Sequence, residues 1–127
     1  MTETEALYLK ERPSEAKSPC QVTCYIDDQV RHGSSLHFNE RGMLVLCDQP
    51  APLGTKLKMV LEFPGFKHAI ELSGEVIWTN MYGVPSPLAP RGMGIKFLNL
   101  DRDVERMLAD LAAMYESLAS IYGCYYT

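Results

Sequence analysis

The chain has 127 residues, 46% of them apolar and 22% charged, which is one domain's length and enough to bury roughly two thirds of its unfolded surface without a staple. Its apolar runs fall far short of the roughly 20 residues that a membrane-crossing helix needs, so no membrane insertion is expected. A formal net charge of −4 without a Lys/Arg cluster argues against a general nucleic-acid binder, which must neutralise phosphates.

Residues 1–18 carry charges, Pro13 and no periodicity, and are expected to form a flexible arm. The opening Met1-Thr2-Glu3-Thr4-Glu5 lacks the basic flank and apolar core of a signal peptide, which predicts a cytoplasmic protein. Gln21 to Ile26 is predicted as the first strand, Asp27-Asp28 as a turn, and Val30 to Phe38 as a second strand interrupted by Gly33. A polar turn runs to Gly42, and Met43 to Cys47 is the third strand. Asp48 to Gly54, with Pro50 and Pro52, is a loop. Leu57, Met59, Leu61 and Phe63 then alternate with Lys56, Lys58, Val60 and Glu62, the period-two pattern of a strand with one face on a core.

Pro64-Gly65-Phe66 makes a hairpin-like connection whose Phe66 is either an exposed contact residue or folded back on the barrel edge. Beyond it, Ile70, Leu72, Gly74, Val76 and Trp78 share a predicted inward face. Thr79 to Arg91, with Pro85, Pro87 and Pro90, is a long surface loop, because proline density forbids a ladder there. Met93, Ile95 and Phe97 face inward in the last strand. Short antiparallel strands followed by one helix predict a mainly β fold: a small antiparallel barrel over residues 19–100, closed by a C-terminal helix.

Asp101 is a competent N-cap for that helix, expected over 101–122, with Gly123 as its stop and 123–127 as a tail. Val104, Leu108, Leu111, Tyr115, Leu118 and Tyr122 follow a four-three spacing. This stripe either packs entirely on the barrel or leaves Tyr115, Leu118 and Tyr122 for a partner or a second copy.

Cys20-x-x-x-Cys24, Cys47 and Cys124 have no Cys-x-x-Cys or His-x-x-x-His companion, so they are read as small hydrophobes and no metal site is expected. No nucleophile elbow, zinc-protease motif or phosphate-cradling loop is present, and the acidic residues are scattered, so the chain is not expected to be an enzyme.

Five segments in one order carry a resemblance: His37-Phe38-Asn39-Glu40-Arg41-Gly42, Met43 to Cys47, Leu53-Gly54-Thr55, Gly74-Glu75-Val76-Ile77-Trp78 and Gly94-Ile95-Lys96-Phe97. Together they resemble the PilZ family of small bacterial domains, many of which bind cyclic di-GMP. The resemblance implies a β-barrel with a ligand site built from an Arg-x-x-x-Arg motif before the first strand and a D-x-S-x-x-G turn. Arg12 to Cys20 holds no Arg-x-x-x-Arg. In the turn, His37 stands at the Asp position and Asn39 at the Ser position, while Gly42 matches. His37, Asn39, Gly42 and Arg41 are therefore the candidate nucleotide site, with Arg31 as a further source of charge, and His37 and Asn39 are expected to face solvent or a bound group.

Losing arginine anchors, each worth about 1.5–3 kcal/mol as charge-assisted bonds, predicts weak or absent cyclic di-GMP binding and no resident cofactor. The resemblance then implies an adaptor acting by protein-protein contact in motility, type IV pilus or secretion control. The alternative is a cyclic di-GMP receptor with a non-standard site.

Overall fold

The computed structural model describes residues 18–81, 83–86 and 89–115. The alternating segments become six antiparallel strands, β1 (Cys20–Ile26), β2 (Gln29–Phe38), β3 (Gly42–Leu46), β4 (Lys56–Glu62), β5 (Ile70–Asn80) and β6 (Gly92–Leu98), before a helix, α1 (Arg102–Ala113). They close into a barrel in the order β1-β2-β3-β6-β5-β4. The helix expected over 101–122 ends at Ala113, with Met114 as its C-cap, and most of the expected arm, residues 116–122 and the tail lie outside the described residues.

Local chemistry sets the connections. Ile26 pairs with Gln29 across a two-residue turn in which Asp27 takes φ 53°, a conformation Asp tolerates better than most residues. Pro64 and Gly65 fill the middle of a turn closed by Phe66 N–H donating to Phe63 O at 3.1 Å, with Gly65 at φ 84°. Those are the residues a type II turn demands. At α1, the Asp101 carboxylate accepts from Asp103 N–H at 2.7 Å and Val104 N–H at 3.3 Å, so the predicted cap is formed.

The inward rows meet in one core. Val22, Met43, Val45, Met59, Leu61, Val76, Met93 and Ile95 are buried there, and Leu108 and Leu111 of α1 join them from one end. At Gly74 a methyl group would collide with Ile95 Cγ2, so the inward position opposite β6 takes no side chain at all. An aromatic chain lines the α1 end: Tyr115 lies 5.3 Å from Phe38, Phe38 5.3 Å from Phe63, and Phe63 6.0 Å from Phe66, between ring centroids. The Tyr115 hydroxyl donates to Ser18 O at 3.1 Å. Tyr115, expected as an option for a partner-facing seam, is thus buried against the barrel. Met114, beside it, is exposed.

Trp78 departs from its expected inward place. Val76 pairs with Ile95, but Trp78 pairs with Gly94, a register shift that adds one residue to β5. Such a bulge rephases the strand, so Thr79, opposite the buried Met93, takes the inward position and Trp78 turns outward, half-buried. A second shift separates Ser34 and His37 in β2. There the buried Ser35 hydroxyl accepts from His37 N–H and donates to His37 O, each at 3.2 Å, which satisfies backbone that the ladder leaves open.

Candidate functional site

The turn that carries the candidate nucleotide site is built by Asn39. Its Oδ1 accepts from Arg41 N–H at 2.7 Å and Gly42 N–H at 3.1 Å, while Asn39 N–H donates to Gly42 O at 3.0 Å. A side-chain carbonyl that mimics a backbone turn in this way is a structural acceptor already in use. Arg41 O in turn accepts from Phe97 N–H at 2.8 Å, tying the turn to β6. Asn39 therefore does not project as a free ligand group, contrary to the sequence expectation.

His37 corrects the same expectation. It lies on the outer side of the barrel, as alternation predicts, yet it is only 7% exposed. Burial holds its imidazole below the ordinary histidine pKa and favours the neutral ring. Register pairs place it at one end of a row across four strands, His37 to Leu44, Leu44 to Gly94 and Gly94 to Trp78. Leu44 has no solvent exposure although Met43 and Val45, its neighbours, fill the inner face. The row thus holds His37 among Leu44, Gly94 and Trp78 on a largely shielded strip, not in the open position facing solvent or a bound group that the motif predicts.

Gly42 is buried beside Lys96 in the β3-β6 ladder. Arg41 is exposed and lines a cleft with Glu40, Lys96 and Glu105. Arg31 does not join the candidate site. It donates to Gln49 O at 2.9 Å and Gln29 Oε1 at 2.6 Å, and six residues of strand, about 20 Å, separate it from His37. Phe66 is 47% exposed while its ring touches Phe63, so it is partly folded back and partly available. Leu118, Tyr122 and Arg12 lie outside the described residues.

Sequence reasoning missed Leu44 and Trp78 as outer-row residues. The available signal was Val76-Ile77-Trp78, three consecutive apolar residues that break a strict alternation where a bulge sits. Cys20 and Cys24 are buried and Cys47 half-buried, and burial pushes the Cys20 and Cys24 thiols up to about 12 and Cys47 to about 11; Cys124 lies outside the described residues. Among the described residues no group of His, Cys, Asp and Glu is arranged to hold a metal, and no helix is long and apolar enough to cross a membrane.

Barrel order, helix and turn together define a class, and a PilZ domain family profile matches residues 10–113, so the chain belongs to the PilZ domain family. The fold is similar to the PilZ domain with c-di-GMP of YcgR from Escherichia coli, with TM-score 0.60 and 16% identity, covering 84% of this chain and 88% of that one. It is also similar to the Bacillus subtilis inhibitor of motility MotI/DgrA, with TM-score 0.61 and 16% identity, covering 80% of this chain and 48% of that one. No curated protein matches the sequence.

Proposed function

We propose that this chain is a non-catalytic, cytoplasmic adaptor of the PilZ family that acts by binding another protein in motility, type IV pilus or secretion control, and that it binds cyclic di-GMP weakly or not at all. The observation that carries this is the use of Asn39 Oδ1 inside its own turn, next to a shielded His37. The missing Arg-x-x-x-Arg between Arg12 and Cys20 adds support, because a planar guanidinium pair is what two phosphates call for. Likeness to a motility inhibitor favours the process.

Partner contact falls to apolar groups left at the α1 end of the barrel, where Phe66 and Met114 are exposed, and by sequence to Leu118 and Tyr122, which also offer a route to a homo-oligomer. Isothermal titration with cyclic di-GMP tests the reading. No saturable heat is expected, and a Kd of about 1 μM or tighter, roughly −8 kcal/mol, overturns it. The second reading, a receptor with a non-standard site, is favoured by the likeness to a domain solved with c-di-GMP. It requires that His37→Ala and Asn39→Ala weaken such binding.

A further inference from the structure

A cleft between the Asn39 turn and α1 stands apart from the shielded row. Glu40 and Arg41 of the turn, Lys96 of β6, and Arg102, Glu105 and Arg106 of α1 line two cavities of about 410 and 480 Å³ that share Glu40, Arg41 and Glu105. Four cations face two carboxylates there, a local positive excess on a chain whose net charge is −4. Among the described residues none of the four cationic side chains holds an ion pair or a hydrogen bond. Arg102 and Arg106, four apart, stand on one helix face. With four cations to two carboxylates, the like charges are not fully offset within the cleft, and an anionic occupant relieves that excess.

We propose that this cleft seats an acidic segment of a protein partner, with spaced carboxylates taken by Arg41, Arg102 and Arg106. The inference rests on the adaptor reading and names the chemistry of the partner. The cavities far exceed the volume of a small anion, since a water occupies only about 30 Å³. Glu40 and Glu105 interleave with the arginines, which penalises a compact polyanion and suits carboxylates spaced along a chain.

The test is fluorescence anisotropy of a labelled peptide of Glu-Glu-Leu repeats titrated with the full chain at low salt. Saturable binding that weakens as salt rises is expected, because the charges are exposed. Arg102→Glu combined with Arg106→Glu should weaken it about tenfold or more while leaving the thermal midpoint in place. Lys58→Glu, on the opposite face, should leave it unchanged. Absent binding by the wild-type chain, or affinity indifferent to the double reversal, overturns the proposal. Displacement by inorganic pyrophosphate at concentrations as low as those of the peptide also overturns it, since the cleft would then be a small-anion site. Tight cyclic di-GMP binding alongside intact, reversal-sensitive peptide binding would keep the cleft and remove the ligand-free adaptor reading alone.

Discussion

The two outer faces of the barrel share one core yet differ in kind. Over β1, β4 and the start of β5 the outer rows run Val30, Tyr25, Lys58, Ser73 and His32, Thr23, Val60, Glu71. They are open and mostly polar, with Tyr25 45% exposed. Over β2, β3, β6 and the end of β5 the row is His37, Leu44, Gly94, Trp78, apolar and shielded. Both register shifts of the sheet fall on this second side, between Ser34 and His37 and between Val76 and Trp78, whereas β1 pairs with β2 and β4 without interruption. A bulge re-aims the residues that follow it. The two faces therefore differ both in the residues of their outer rows and in the two extra residues that re-aim the second of them.

Truncating matched outer positions gives the sharpest way to break this contrast. Leu44→Ala should cost about 2–5 kcal/mol in urea unfolding, as a core leucine does. Val60→Ala, on the open face, should cost well under that, about 1 kcal/mol or less. Equal small losses would mean that the second face is open too. Trp78→Ala should fall below the roughly 3–5 kcal/mol of a fully buried tryptophan, and acrylamide should quench Trp78 emission. A core-like loss with unquenched emission would restore the inward placement.

Asn39→Ala should cost about 1 kcal/mol by removing the turn acceptor, whereas Asn39→Asp, which keeps an oxygen there, should retain most of it. Comparable midpoints for the alanine variant and the wild type would free Asn39 for another role. The smallest effect concerns pH. Because burial lowers the folded pKa of His37 below the ordinary histidine value of 6.5, the unfolded chain takes up the proton first as pH falls toward and below that value. Stability should then decline until the folded pKa is passed, and His37→Gln should lose this part of the pH dependence. Identical profiles for both chains would show that His37 is not the titrating group.

Much of this fold was legible because period-two alternation is a direct image of the pleat. In β4 it placed Leu57, Met59 and Leu61 correctly, and in β5 it held as far as Val76. It failed at Trp78 because the bulge is set by pairing with β6, and its local trace, the apolar run Val76-Ile77-Trp78, does not by itself say which residue turns outward. The α1 cap at Asp101 was legible because its hydrogen bonds are local. The candidate site was legible only as a location. That Asn39 would close its own turn, and that an outward His37 would be shielded, depend on tertiary neighbours. The basic cleft joins Arg41 to Arg102 and Arg106 across more than half the chain's barrel, a distance over which spacing says nothing.

Ring closure of the sheet has a consequence for recognition. Among the described residues each of the six strands has a hydrogen-bonded neighbour on both sides, so no strand presents a full-length open edge onto which a partner could add a strand. Backbone ladders, the sequence-tolerant way to hold an extended peptide, have little edge to build on in the described barrel. Recognition at the barrel surface then falls mainly to side chains, and a few charge reversals or truncations there should be able to rewrite its choice of partner without touching the barrel.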